Sequence, residues 1–489
     1  PITMTRASAG TRVNSSGLVE TVELLGSEEI VNGDFNNGST DFDLFGVAAL
    51  DGNVIDFIDG GSNTYSGIRQ DITSVAGKQY KIEITVTNWV KGNIQAVFSS
   101  NSSSFNVTGN GVYTAYLSPA STGNDIEISR DFATGANFSY SVTNVSVKES
   151  TKNNLARVDY DGTASSLLVE PQSTNLVTTS ASGNYGNPPA SEILAIAPDG
   201  TNTAIRPVPD SASDRYEKTI AGGTFSSGDK VTYSWYRKRF STPVIVYIGD
   251  LYISAIVNAT QVGVTTEIAS SINGYDRFSA TFSITDGALS SILRFYFGAA
   301  IGVGNSSVAY WGHQLETGSY ATSYIPTSGS SVTRVQDQYE KTGISNLINS
   351  EEGVLFVEMA SFGTGSATQY ISITNGVSSS YGLRILYHTN GSVYFQKYVN
   401  GTRTTNLATS SITITDFNKL AIRYNSTTVD VWANGVEILT NADTNVIPSG
   451  TLNRLGLDIA DELNPFFGKV KQLQVFKTAL TDTELATLT

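Results

Sequence analysis

The chain of 489 residues contains no cysteine. A disulfide framework is therefore excluded, and so is any thiolate nucleophile or thiolate metal site. Histidine is nearly absent too: only His313 and His388 occur, 75 positions apart. Neither an H-E-x-x-H motif nor a G-x-S-x-G elbow is present, so zinc hydrolysis and serine acyl transfer lack their parts. No apolar run approaches the roughly 18 residues that cross a bilayer as a helix. Charged residues make up 15% of the chain, the formal net charge is −14, and no basic cluster stands out. Phosphate recognition needs a concentrated positive footprint, so nucleic acid and anionic membrane surfaces are disfavoured as partners. The opening PITMTRASAG lacks the basic and apolar regions of a secretory signal, which sets the expectation of synthesis in a cytoplasm without export.

What is present points to strands. The chain holds 45 Gly and 24 Tyr, and runs of Leu, Ala, Glu and Lys are scarce. That balance favours short strands joined by turns, and the length suggests about three domains. An internal repeat sharpens this. GKQYKIEITVTNWVKGNIQAVF (77–98) parallels GDKVTYSWYRKRFSTPVIVYI (228–248), with Tyr80, Ile82, Ile84 and Val86 matched by Val231, Tyr233, Trp235 and Arg237. NGVYTAYLS (110–118) parallels NGYDRFSATFS (273–283), and the segment 125–150 parallels 291–318. Period-2 alternation broken by turns predicts two copies of one β-sandwich or jelly-roll module.

A shorter element recurs between the modules. Segments 5–25, 155–177 and 331–348 each carry a Thr/Ala-Arg-Val start, polar turn residues and then an apolar run. Each reads as a connector, a short hairpin packed on the module that follows it. From about Glu352 the pattern becomes a meander, with Asn-Gly at 390–391, 400–401 and 434–435 between strand-like runs. Asn-Gly suits a type I′ turn, which needs positive φ at both central residues. The end reads as a strand and a short helix, with Thr481-Asp482-Thr483-Glu484 as a capping box.

Several stretches also carry a family resemblance. TRASAGTRVNSSGLVETV and RVDYDGTASSLLVEPQSTNLV resemble the two halves of a lead-in found in bacteriophage tail and virion proteins. SEEIVNGDFNNGSTDFDLFG with GIRQDITSVAGKQYKIEITV resembles a phage-borne jelly roll similar to carbohydrate-binding modules. APDGTNTAIRP with WGHQLETGSYATSYIPTSGSSVTR resembles a second such module. GKVKQLQVFKTALTDTELATL is similar to the last strand and helix of concanavalin A-like (laminin G-like) sandwiches. The resemblance implies an all-β chain: tandem jelly-roll β-sandwiches followed by a concanavalin A-like β-sandwich with a short C-terminal helix. The expected divisions are a connector or attachment segment over 1–25, module 1 over 26–150, connector plus module 2 over 151–327, and a lectin-type domain over 328–489.

The implied function is a non-enzymatic virion structural protein, a tail or head fibre, spike or decoration component, adhering to host-surface glycan. Its expected partners are other virion proteins and further copies of itself, as a homo-oligomer of the trimeric kind that fibres form. A purely architectural protein and a polysaccharide depolymerase are the alternatives. Glycan sites use aromatic platforms beside amides and carboxylates, which nominates Trp89, Tyr65, Trp235 and Tyr247. Trp432 reads as packing. A glycosidase would need a carboxylate pair, which Asp56 with Asp59 or the group Asp458, Asp461 and Glu462 could supply, although solvated turns explain them better. Asp458, Asp461 and Glu462 are oxygen donors that would suit Ca2+, without EF-hand spacing; no other cofactor is expected. His313 alternates with Leu315 on one strand face and reads as a core histidine. Tyr320 and Tyr324, in the exit from module 2, are candidates for docking the module to the lectin-type domain.

Overall fold

A computed structural model describes residues 2–59, 64–98, 101–105, 107–123, 125–131, 137–181, 191–208, 216–220, 226, 228–239, 251–253, 259–261, 266–272, 274–284, 293–297, 308–363, 367–460 and 463–489. The chain forms two compact units, Glu23–Lys152 and a second made of Pro1–Val22 with Asn153–Thr489.

In Glu23–Lys152 the alternating run 77–98 does what its pattern dictates. Tyr80, Ile82, Ile84 and Val86 are buried, while the residues between them are half-buried. The strand Gln79–Lys91 lies between Gly111–Leu117 and Ser139–Thr151, and Val54–Ile58 and Ala48–Asp51 extend the same sheet. A second, five-stranded sheet runs Asn101–Phe105, Ile94–Phe98, Asp125–Arg130, Gly67–Asp71, Asp43–Phe45. The two inner faces enclose one core that includes Ile55, Phe57, Ile68, Ile94, Phe98 and Ile128. Fully burying each such side chain contributes about 1.5–3 kcal/mol, which is what fixes the register.

The internal repeat holds at the level of register. Ile82 pairs across the sheet with Ala115 on one side and Val147 on the other. In the second module Tyr233 pairs with Ala280 and Leu315 in the same way. Both closing strands then carry a register shift, between Val142 and Asn144 in one and between Trp311 and Gln314 in the other. At the second shift Gly312 has φ +66°, and a Cβ there would lie 2.7 Å from the Tyr236 ring, so a glycine is required.

Burial separates the two copies. Gln79–Lys91 alternates, but every residue from Val231 to Arg237 is buried, as is Val308–Glu316. The polar face of the second module is covered by the exit segment after Thr317. Gln314 donates to the Ser323 carbonyl at 3.2 Å, and Ile325 N–H donates to Gln314 Oε1 at 2.6 Å. Asn175 donates to the Ile325 carbonyl at 2.9 Å and accepts from Leu315 N–H at 3.2 Å.

The C-terminal sandwich stacks two seven-stranded sheets. One contains Gln369–Thr374, Gly382–Tyr387, Val393–Val399 and Thr402–Thr409; the other contains Gly353–Ser361, Asn418–Tyr424, Thr428–Ala433, Val436–Ala442 and Gly468–Phe476. Leu355, Val357, Ile371, Ile385, Phe395, Leu420 and Ile422 are buried between them. The helix Asp482–Leu488 starts at Thr481, whose side chain and that of Glu484 complete the capping box. Leu485 packs on Val354, Phe356, Ala421 and Trp432, so Trp432 is a packing residue.

The connectors behave differently from the sequence expectation. Thr3–Thr5 pairs with Gln338–Lys341 and joins the first sheet of the C-terminal sandwich. The hairpin Arg157–Asp161/Ala164–Val169 joins the second sheet through Gly468–Phe476. The third connector forms no hairpin: Val332–Arg334 pairs with Ser173–Asn175 instead. The first connector does contain a hairpin, Thr11–Val13 with Val19–Thr21, but its Val19 packs on Tyr236 and Trp311 of module 2. Only Thr3–Thr5 and the hairpin Arg157–Asp161/Ala164–Val169 extend the sheets of the C-terminal sandwich.

Candidate functional site

The arginines of the repeated Thr/Ala-Arg-Val element meet inside the second unit. Arg157 donates to Glu170 at 2.5 Å and also pairs with Asp337. Arg334 lies 2.9 Å from Glu170, and Arg6 lies 2.7 Å from the other oxygen of Asp337. Arg12, the matching arginine of the first copy, pairs instead with Glu20 nearer the surface, and Arg6 takes its place. Ser323 N–H donates to Glu170 at 2.5 Å, while Glu316 accepts from Ser173 at 2.5 Å and from Thr322 N–H at 3.0 Å. Burial raises the Glu170 pKa, but Arg334 and Arg157 outweigh it and hold the carboxyl down to about 2. The three arginines and the carboxylates Glu170, Glu316 and Asp337 are all buried, with formal charges that cancel. From the stretch WGHQLETGSYATSYIPT, Glu316, Thr322 and Ser323 contribute to this junction.

The nominated residues land in different environments. Trp235 is fully buried, its ring 5.9 Å from those of Phe278 and Tyr233, so it is unavailable to a ligand. Trp89 is half-buried against the core of its module and donates Nε1–H to the Gly92 carbonyl at 2.9 Å. Tyr65 is 41% exposed. Its ring lies 5.1 Å from Phe45, its hydroxyl donates to Glu127, and Arg69 bridges Glu127 and Asp125. Burial and the Glu127 hydrogen bond push the Tyr65 phenol up. Tyr247, Asp461 and Glu462 lie outside the described residues. Asp458 is gripped by Arg454, with nitrogen–oxygen distances of 2.7 and 2.8 Å, and is occupied as an ion-pair partner. Among the described residues no three His, Asp or Glu side chains come together to hold a metal ion.

The remaining nominations are structural in setting. Asp56 accepts from Ser141 at 2.6 Å, and Asp59 faces Arg130 at 3.8 Å. His313 is buried with Nδ1 2.9 Å from the Tyr233 hydroxyl. The Tyr320 ring lies 5.3 Å from Phe362 of the C-terminal sandwich. Tyr324 turns back into module 2, 4.5 Å from Trp311, with its hydroxyl 2.6 Å from Ser180 Oγ. Of the two docking candidates, only Tyr320 is placed against the C-terminal domain by these ring contacts.

One arrangement was missed in the sequence. On the first sheet of the C-terminal sandwich, Ile371, Ile373, Leu383, Ile385, Val393 and Phe395 face the core. Alternation puts Tyr370, Arg384, Tyr394, Gln396 and Tyr398 on the opposite face. Register sets Arg384 across from Gln396, with Asn406 beyond; Gln396 donates to Asn406 at 2.9 Å. Arg384 is 1% exposed and lies 4.0 Å from the centre of the Tyr398 ring and 6.0 Å from that of Tyr370. Gly382 lies across from Tyr398, and a Cβ there would come within 2.8 Å of the Ile373 carbonyl of the neighbouring strand. Arg384 leaves both Nε and Nη2 without a hydrogen-bond partner, whereas the junction's Arg157 and Arg334 leave Nε alone so. Burial holds its pKa below the ordinary arginine value, against the pull of both tyrosines. Tyr370 and Tyr398 are half-buried and Asn406 is exposed, so aromatic rings and an amide pair share one face. The signal lay in the runs GLRILY and VYFQKYV, where arginine, glutamine and tyrosine alternate with aliphatic core residues.

Residues 355–486 match the Concanavalin A-like lectin/glucanases superfamily. No curated protein matches the chain. Among solved structures, the chain is similar to the Ruminococcus gnavus IT-sialidase CBM40, at 18% identity over 30% of this chain and 91% of that one, with TM-score 0.26. Domain 4 of AbnA, a GH43 extracellular arabinanase from Geobacillus stearothermophilus, is 14% identical over 35% of this chain and 82% of that one, with TM-score 0.27. The heptameric SAP-like pentraxin from Limulus polyphemus is 14% identical over 31% of this chain and 74% of that one, with TM-score 0.25. TM-scores this low bear no weight on function.

Proposed function

We propose that the chain is a non-catalytic adhesion protein that holds host-surface glycan, displayed on a bacteriophage particle as a fibre, spike or decoration component. The observation that carries the glycan reading is the outer face of the first C-terminal sheet. There Tyr370 and Tyr398 flank a buried guanidinium, and the Gln396–Asn406 amide pair lies in the same row as Arg384. Stacked on Arg384, the two rings are held in fixed orientation, which lowers the entropy lost when a sugar ring lies against them. The amides supply directional donors and acceptors for sugar hydroxyls. The phage setting draws on the lead-in and jelly-roll sequences alone, and display as a homo-oligomer would raise weak single-site affinity through effective concentration.

The architectural alternative draws on the junction, because Glu316, Thr322 and Ser323 of the WGHQLETGSYATSYIPT stretch serve to hold segments together. Binding of the purified chain to an array of immobilised glycans separates the readings. The adhesion reading expects selective binding without new reducing ends in solution. Absence of binding across the array favours the architectural role, and accumulating reducing ends would establish a depolymerase. Labelling of particles with an antibody to the chain tests the phage setting.

A further inference from the structure

The second unit contains a cleft of about 890 Å³ between the exit side of module 2 and the C-terminal sandwich. Clefts of about 300–1,000 Å³ are the usual size of ligand sites. Two chemically distinct sets of residues line it. Pro171, Tyr320, Pro465 and Phe467 supply ring surfaces, and Gln172, Gln336, Thr368 and Asn464 supply amides and a hydroxyl. Asp229 and Lys230 are its only charged lining residues among those described, and they are of opposite sign. A cleft with no net charge in a chain carrying −14 offers nothing to recognise an ion. It suits a neutral ligand that presents both hydroxyls and apolar C–H faces.

The walls are fixed and the polar groups are free. Glu316 ties Ser173 to Thr322 along one wall, at 2.5 Å and 3.0 Å. On the other, Phe467 N–H donates to Gln369 Oε1 at 3.0 Å, and Tyr370 N–H donates to the Asn464 carbonyl at 3.1 Å. Tyr320 is braced on Phe362, with ring centroids 5.3 Å apart. Among the described residues, the side chains of Gln172, Gln336, Thr368 and Asn464 make no hydrogen bond, in contrast to the satisfied amides of Gln314 and Asn175 deeper in the same unit. Four hydrogen-bonding side chains that no internal contact uses thus line a cleft whose walls are braced.

From this convergence we infer a second carbohydrate site, for a neutral oligosaccharide, distinct from the tyrosine face of the sheet. Its occupant contacts both module 2 and the C-terminal sandwich, so binding also stiffens their connection. The site stands whether or not the tyrosine face binds sugar.

Calorimetric titration of the full chain with maltohexaose, cellohexaose, xylohexaose and mannohexaose tests it. Thr368→Trp fills the cleft, and Gln336→Ala removes one amide while leaving the cleft open. At least one of the four sugars is expected to bind with a Kd of about 1 mM or tighter. Thr368→Trp should weaken it at least tenfold and Gln336→Ala by a smaller factor, with melting temperatures unchanged. Tyr398→Ala, on the other face, should leave this affinity as it is. Absence of binding by all four sugars would overturn the inference. Binding that both cleft variants retain in full would overturn it as well.

Discussion

At the scale of single residues, the chain treats its arginines in two ways. Arg157 is enclosed by Glu170 and Asp337, so its removal leaves buried carboxylates undercompensated. Arg157→Ala is expected to destabilise the second unit by about 3–5 kcal/mol. Hydrogen exchange should read the loss of protection there while the protection of Glu23–Lys152 is retained. The junction also has a defined pH response. Glu170 titrates at about 2 in the folded chain, below the ordinary carboxylate value, so its stabilisation is complete above that ordinary value. As pH falls toward 2 the unfolded state takes up the proton first, and a contribution on the order of 3 kcal/mol is lost. Urea midpoints should therefore fall as pH is lowered through 4 toward 2, and Glu170→Gln should flatten that slope. Only the repeat of Thr/Ala-Arg-Val was legible in the sequence. That Arg6 rather than Arg12 completes the cluster depends on which arginine the strand Thr3–Thr5 delivers, and no local pattern encodes that choice.

At the scale of elements, legibility followed from what each strand faces. Gln79–Lys91 has one face on the core and one toward solvent, and its alternation is plain in the sequence. Its counterpart Lys230–Arg239 is buried on both faces over Val231–Arg237, because a segment nearly 90 residues later in the chain covers the second one. Trp235 is core for a different reason: it shares the inner face of Tyr233, and its ring lies 5.9 Å from that of Phe278. The Asn-Gly pairs divide similarly. Asn400-Gly401 and Asn434-Gly435 both have positive φ at the two positions and join paired strands directly. At Asn390-Gly391 only Gly391 does, since Tyr387 pairs with Val393 and the loop is longer. The capping box was fully local and was read correctly. Thr481→Ala is expected to cost about 1 kcal/mol, and Leu485→Ala about 2–4 kcal/mol by emptying the contact with Phe356 and Trp432. Thermal melts of the two variants should rank in that order; equal shifts would contradict the packing described.

At the scale of the whole molecule, two jelly-roll modules and a lectin-type sandwich were legible because repeats and turn chemistry are local. The candidate sites were less so. Tyr65 was nominated from the sequence as an aromatic and is 41% exposed, whereas Arg384 and its tyrosines required the register of three strands. The central claim is that this sheet face holds glycan. Titrating Tyr398→Ala with the tightest-binding array glycan, chosen from those whose affinity Thr368→Trp leaves unchanged, tests that claim most directly. The account predicts at least a tenfold loss of affinity with an unchanged melting temperature. A Tyr398→Ala chain that binds that glycan as tightly as the wild type would contradict it.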